Sequence, residues 1–560
     1  MPSTSPPLRT PSEFNVVTWD TDTVKNAHPL IDKGRKRSPP NGMRLSIEVP
    51  ADFVGVRNHR ELQNSDHPAV MNRLMHFQGP VHPEAVCLGQ LRREEDNFCK
   101  IHDLCRPLQL SDEQLKTAMR LLLEKMEHGL SDDWQNSSVK MLPSYVRSVP
   151  NGTEKGEFLA LDLGGTNFRV LLIRIEDGKA EMESKIFRVP HEFMVGTGEA
   201  LFDHIADCMA KFTKENFLEG RKLPLGFTFS FPCAQHGLTS GKLINWTKGF
   251  KASGVEGEDI VVMLQRAVKK RQDIDIDVVA LLNDTTGTLM ACAFQENSCE
   301  VGVIVGTGSN ACYMEKMDRC LKLHGELDYK NDGGPDEMII NTEWGAFGSD
   351  GCLDFLRTEF DREVDQQSIN PGKQLFEKMI SGMYMGELTR LVLAKLCREG
   401  LLFEGVGCDE LFMPGQFPTK FVSEIETDLL EEDRTFQKTF EILGDLGVEH
   451  VSVADCANVA YVCSLVSTRA AFLCAAGIAT LLNRMGKPKV TVGVDGSVYR
   501  FHPTFGKLLD QKVDQLINPG LEFQLMLSED GSGRGAALVA AVACRVEQER
   551  QARQQQQQQQ

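Results

Sequence analysis

The stretch Leu161-Asp162-Leu163-Gly164-Gly165-Thr166-Asn167-Phe168-Arg169 decides the fold. An apolar run from Glu157 to Leu163 ends in a glycine bend, and a second run from Phe168 to Ile175 follows at once. The bend therefore joins strand to strand. Asp177-Gly178 reads as a hairpin turn into a third run that reaches Val189, which predicts a three-strand meander. A P-loop is excluded on topology, because G-x-x-x-x-G-K-[ST] leads into a helix and matches nowhere in the chain. The H-R-D loop of protein kinases is absent too.

The pattern recurs 142 residues further on: Val301 to Val305, the bend Gly306-Thr307-Gly308-Ser309, then Ala311 to Met314. A third apolar strand, Val490 to Val494, ends in Asp495-Gly496-Ser497. Small-residue bends at three strand ends predict an α/β protein of two related lobes facing one cleft, a usual place for a ligand. Glycine lets backbone N–H groups approach a phosphate, and a following Thr or Ser adds a hydroxyl, so the three bends together imply a nucleotide between the lobes. Any one alone would fit a plain tight turn. A Rossmann reading of Phe523 to Leu527, Gly531-Ser532-Gly533-Arg534-Gly535 and Ala536 to Ala543 fails, because the glycines are not spaced G-x-G-x-x-G.

The 560 residues, 41 % hydrophobic and 25 % charged, suit a globular chain. A net charge of −18 with no long basic block argues against a nucleic-acid partner. Ala470 to Leu482 is too short for a membrane span and reads as a buried helix. The start has no secretory apolar region, and sixteen cysteines without C-x-x-C pairs fit reduced thiols in the cytosol. Residues 1–105 read as a poorly ordered extension, and 548–560, with seven terminal glutamines, as a solvated tail. The ordered body is expected to start near the capping box Ser111-Asp112-Glu113-Gln114, with Gly129 as the C-cap of the helix it opens.

The opening stretch Leu161 to Arg169, together with Phe229-Ser230-Phe231-Pro232, Asn245-Trp246-Thr247-Lys248-Gly249-Phe250, Asn283-Asp284-Thr285, Asn341-Thr342-Glu343-Trp344-Gly345-Ala346-Phe347-Gly348 and Gly496-Ser497, resembles the eukaryotic hexokinases. The likeness runs from about Leu108 to about Val546 and includes one copy of the motif set. It implies a two-lobed actin-like sugar-kinase (ribonuclease H-like) fold, with a small lobe over 106–283 and a large lobe over 284–547. It also implies ATP as donor, Mg²⁺, and phosphorylation of the 6-hydroxyl of glucose and related hexoses; a monomer is expected, although the sequence leaves the oligomeric state open. Carried over by position, the sugar site comprises Ser230, Thr247, Lys248, Asn283, Asp284, Asn310, Glu343, Gln374 and Glu377. The nucleotide site comprises Asp162, Gly164, Gly165, Thr166, Asn167, Thr307, Gly308, Thr419, Ser423, Gly496, Ser497 and Ser532.

A sugar hydroxyl is a poor nucleophile, so the transfer needs a base beside it and positive charge around the phosphoryl group. Asp284, after the run Val278 to Leu282, is the expected base; spacing alone would equally let Asn283 or Asp284 cap the next helix. Lys248 is the expected cation. Glu343 and Glu377 suit vicinal hydroxyls. Asp162 is expected to help organise Mg²⁺, through water, with no all-protein metal cage in the sequence. Two departures from the family pattern stand out: an acidic segment, Gly325 to Met338, expected as a surface loop, and Met383 where some relatives carry lysine near the nucleotide. The extension lacks the apolar start that docks some relatives on mitochondria. Two rivals remain: a non-catalytic sugar sensor or scaffold of the same family, and an actin- or chaperone-like ATPase. The second leaves the Asn-Trp-Thr-Lys and Asn-Thr-Glu-Trp segments without a role.

Overall fold

The structure, a computed structural model, describes residues 88–560 except 166, 177, 247, 326–328, 330–333, 433–434 and 559–560. Lys100–Leu430 and Thr435–Gln560 form the compact body that carries everything below. Its strands in chain order are β1 (Leu142–Pro143), β2 (Gly156–Leu163), β3 (Asn167–Glu176), β4 (Lys179–Arg188), β5 (Lys222–Phe229), β6 (Cys233–Gln235), β7 (Gly241–Leu243), β8 (Asp275–Leu282), β9 (Cys299–Val305), β10 (Ser309–Lys316), β11 (Glu337–Asn341), β12 (Lys489–Asp495) and β13 (Glu522–Leu527).

The first sheet has the order β4-β3-β2-β5-β8 and the second β1-β11-β10-β9-β12-β13. Without the short β1 the two orders are the same. Each sheet begins with an antiparallel meander, β2-β3-β4 or β9-β10-β11, and then adds two parallel strands. The weak repeat in the sequence is thus a repeat of topology, with the bends at Gly164 and Gly306 in equivalent places.

Both faces of β2 are covered, which explains why it is a continuous apolar run and not an alternating one. Leu159, Leu161 and Leu163 pack outward with Phe202, Ile205 and Leu264 of the covering helices. Phe158 and Ala160 pack inward against Leu289 and Ala536 to Val542. The inner layer is two helices, Asp284–Ala293 and Gly531–Gln558, that cross at glycines. A Cβ on Gly535 would lie 2.0 Å from the Gly287 carbonyl oxygen, so only glycine permits this approach.

This packing redraws the expected lobes. The helix Gly531–Gln558 lies on β2, β3, β5 and β8, although its sequence position falls in the 284–547 segment. The helix Asp112–Leu130 packs instead on Val453–Met485, and β1 joins the second sheet. A single cut at residue 283 misses these exchanges because flanking segments cover whichever apolar face is left open.

The capping box is present: Ser111 Oγ accepts from Gln114 N at 3.2 Å and Gln114 Oε1 from Ser111 N at 2.9 Å. Gly129 is not the C-cap. The helix continues to Leu130 and ends at an extended Ser131, while Gly129 leaves room for Val139, whose carbonyl oxygen would lie 2.2 Å from an added Cβ. Helical structure starts earlier than the capping box, at Leu88–Cys105, where Ile101 and Cys105 are buried. It also runs into the glutamine tract, with residues 551–556 exposed on the last helix. Of the acidic segment, Glu337 and Met338 belong to β11, and Met338 is buried. Among the described residues one helix, Val453–Met485, is long and apolar enough to cross a membrane, and 89 % of its most apolar window is buried inside the fold.

Candidate active site

The strand β8 ends at Leu282 and the next helix starts at Asp284, with Asn283 between them as N-cap. Asn283 Oδ1 accepts from Thr285 N at 3.0 Å and Thr285 Oγ1 at 2.8 Å. The capping and base readings therefore divide between neighbours. Asn283 caps the helix, and capping leaves the Asp284 carboxylate at the first turn, where the helix dipole favours negative charge.

Around that carboxylate the predicted residues converge. Burial pushes its pKa up; Lys248 opposes this, the nearby Asp162 carboxylate adds to it, and hydrogen bonds from Ser230 and Thr285 N pull it back down. Lys248 Nζ donates to the Ser230 carbonyl oxygen at 2.9 Å and lies 5.4 Å from the centre of the Phe231 ring. A raised carboxyl pKa makes a better proton acceptor near neutral pH.

On the other side lie the remaining sugar-site candidates. Asn310 Nδ2 approaches Asn283 Oδ1 at 3.5 Å and Glu343 Oε1 at 3.3 Å. Glu377 Oε2 accepts from Ser309 N at 2.9 Å, and Gln374 hydrogen-bonds the same carboxylate. Burial raises both glutamates, Glu343 to about 7 with the Asp284 and Glu377 carboxylates adding to the effect. Lys248, Glu343 and Gln374 all have left-handed backbones, with φ of 53°, 54° and 55°. For residues other than glycine this costs about 1–3 kcal/mol each and is concentrated at functional sites.

The bends reach the same region. A Cβ on Gly164 would sit 3.5 Å from Ser230 Oγ and 3.9 Å from Asp162 Oδ1. Gly306 faces Gly496, at 3.5 Å from its added Cβ to the Gly496 Cα. Gly382 N donates to the Gly306 carbonyl oxygen at 2.8 Å and Met383 N to that of Thr307 at 3.2 Å. Thr419 is brought in through Gly382, whose carbonyl oxygen accepts its hydroxyl at 2.6 Å. Ser423 instead turns back on its own helix, to the Thr419 carbonyl oxygen at 3.4 Å. Gly165 and Asn167 border the first bend, and Ser497 follows Gly496. Ser532 Oγ donates to Asp162 Oδ2 at 2.8 Å. Thr166 and Thr247 lie outside the described residues.

Gly308 packs directly against a sugar-site carboxylate. A Cβ there would lie 2.5 Å from Glu377 Oε2. Gly308→Ala is expected to displace that carboxylate and lower kcat/KM for hexose by about 10²-fold. Steady-state kinetics checks this beside a thermal melt that should stay close to wild type.

Residues without an assigned role also join the site. Arg169 is opposite Asp162 in the β2-β3 register and donates to Asp162 Oδ2 at 2.9 Å; it also pairs with Asp530 at 2.6 Å. The three-residue loop between the strands makes these two residues cross-strand neighbours. Asp495 Oδ1 and Oδ2 accept from Gly496 N at 2.7 Å and Gly531 N at 3.0 Å, which ties the Gly496 bend to the start of the last helix. Asn341 carried no such signal.

Two hexokinase family models match the chain, one over residues 100–294 and the other over 300–542. The crystal structure of a hexokinase from Schistosoma mansoni complexed with glucose is 43 % identical, with a TM-score of 0.72, covering 80 % of this chain and 99 % of that one. The chain belongs to the hexokinase family. A second hexokinase crystal structure is 30 % identical with a TM-score of 0.70, again over 80 % of this chain and all of the other (100 %). Human hexokinase-2 is 51 % identical over 451 residues, 79 % of this chain and 48 % of the human one. Mouse hexokinase-1 is 46 % identical over 500 residues, 88 % and 50 % of the two chains. This hexokinase-family chain thus spans about half the length of the curated relatives it matches, and its two sheets carry one motif set.

Proposed function

We propose that the protein transfers the γ-phosphoryl group of ATP to the 6-hydroxyl of glucose and related hexoses, the first step of glycolysis. The observation that carries this reading is the Asp284 carboxylate, buried where the two lobes meet and facing Lys248, Ser230 and Asp162. As the bond from hexose O6 to phosphorus forms and the bond to the ADP oxygen breaks, the hydroxyl proton passes to Asp284. Lys248 supplies positive charge for the migrating group. Ser230, Thr247, Asn283, Asn310, Gln374, Glu343 and Glu377 hold the hexose, and the bends at Gly164, Gly306 and Gly496 hold the phosphates and ribose, with Thr419 and Ser532 beside them.

Asp162 fits a hydrated magnesium ion. Arg169 and Ser532 occupy its Oδ2, which leaves Oδ1 for the water shell. When bound there, magnesium would offset charge on the ATP phosphates. Among the described residues no three His, Cys, Asp or Glu side chains are grouped to hold a metal by themselves. Every described cysteine is a free thiol, which supports a reducing compartment such as the cytoplasm.

A coupled assay with Mg-ATP and glucose, mannose, fructose or glucosamine tests the reading. Turnover that depends on the hexose supports it. Hexose binding without turnover favours a sensor, and hydrolysis indifferent to hexose favours a plain ATPase.

Hexose affinity should depend on pH. With the Glu343 carboxyl raised to about 7, it is ionised above that pH and protonated below it. The carboxylate accepts from two hydroxyls and the acid does so less well. Affinity is therefore expected to weaken as pH falls through about 7, by up to about tenfold per unit for one proton. Tryptophan fluorescence titrations between pH 6 and 8.5 measure this, and a flat profile would contradict it.

A further inference from the structure

Asn341 ends β11 and is buried, with 6 % of its surface exposed. It pairs with Cys312 on one side and Leu142 on the other, so neighbouring strands hold its backbone from both edges. Its side chain lies between two residues of the hexose site. Oδ1 accepts from Asn310 Nδ2 at 2.8 Å and from Glu343 N at 3.4 Å, while Nδ2 donates to Glu343 Oε1 at 2.8 Å. A carboxamide can accept from one neighbour and donate to the other at the same time, which neither a carboxylate nor an apolar side chain can do. Asn310 in turn reaches Asn283, the cap of the helix that starts with Asp284.

We propose that Asn341 is a positioning residue for hexose: it clamps the Glu343 carboxylate and the Asn310 amide together, so that their free edges meet the sugar hydroxyls. The inference rests on the reading of Glu343 as a hexose contact. Two further facts bear on it. Glu343 has a left-handed backbone, and the bond from its N–H to Asn341 Oδ1 closes the turn that holds it there. The hydrogen bond from Asn341 is also the main influence lowering the Glu343 pKa against burial and the Asp284 and Glu377 carboxylates, with Lys248 a lesser one. Without it the carboxyl would stay protonated to higher pH.

The test measures KM for glucose, KM for ATP and kcat between pH 6 and 9 in wild type, Asn341→Ser, Glu343→Gln and the double variant. Asn341→Ser is expected to raise the glucose KM about tenfold, to leave kcat and the ATP KM within about threefold, and to move the midpoint of the glucose pH profile upward. In the Glu343→Gln background the same change should add less than about twofold, since the two residues act through one contact. Asn341→Leu, of similar volume but without hydrogen bonds, should behave the same way; if it does not fold, the Ser variant carries the test. Equal losses in both backgrounds, an unmoved pH midpoint, or an ATP KM that rises as much as the glucose KM would overturn the proposal. Wild-type protein is assayed first, and its failure to phosphorylate glucose would overturn the functional reading, separately from any result with Asn341.

Discussion

Replacing Asp284 by Asn is expected to lower kcat by about 10²–10⁴-fold while hexose and ATP still bind. The amide keeps the size and the position after Asn283 but cannot take a proton from the hydroxyl. Its stability should be unchanged or higher. The ionised carboxylate is disfavoured by burial and by Asp162, whereas the loss of a charge at a helix N-terminus costs only about 0.3–1 kcal/mol. Single-turnover kinetics and glucose titrations check both halves. A variant that lost binding with kcat intact would make Asp284 a sugar ligand and not a base.

The second large effect concerns the support of the site. Arg469, in the long helix Val453–Met485, is 2 % exposed and donates to Asp361 Oδ1 at 2.7 Å and Oδ2 at 2.9 Å. It also donates to the Leu356 carbonyl oxygen at 2.9 Å and to Met379 Sδ at 3.5 Å. Asp361 completes the capping box of the helix Glu359–Gln367 with Thr358, and Met379 lies in the short helix Leu375–Ile380 that carries Glu377. Arg469→Met leaves a buried carboxylate unpaired and is expected to cost about 3–5 kcal/mol. Urea denaturation followed by tryptophan fluorescence should show it. A matching Asp361→Leu change in the same chain should recover much of the loss, because removing both charges removes the unpaired one. Glucose KM should rise with the loosening of Glu377, and the ATP KM should change less.

The parts of this structure that local rules govern were legible in the sequence. The β2-β3-β4 meander follows from apolar runs separated by turn residues, and the helix at Asp112 from its capping box. The helix through Ala470–Leu482 followed from its composition, although its start at Val453, more than four turns earlier, did not. The parts set by distant neighbours were not legible. Gly129 resembles a C-cap but makes room for Val139. The helix Gly531–Gln558 carries no mark of which sheet it covers. A two-residue strand such as β1 has no period to read.

The site divides in the same way. Asp284 and the bends could be placed at strand ends from the sequence, although a helix cap or a plain tight turn fitted each as well, and the family resemblance singled out Lys248 and supplied the roles. The left-handed backbones of Lys248, Glu343 and Gln374 could not, since nothing local favours that conformation in those residue types. Asn341 was missed for a related reason: its contribution is to hold two neighbours in place, and that exists only once β10 and β11 are paired.

The most direct test of the catalytic crevice is to incubate the protein with Mg-ATP and glucose, 6-deoxyglucose or no sugar, and to follow ADP release together with phosphorus NMR of the products. If Asp284 and the three bends form one site for the sugar hydroxyl and the γ-phosphate, glucose gives a 6-phosphate ester at one ADP per sugar. Asp284→Asn gives almost none, and ADP release without a 6-hydroxyl stays far slower. Equal ADP release with and without glucose, or a 6-phosphate formed at wild-type rate by the Asn variant, would contradict it.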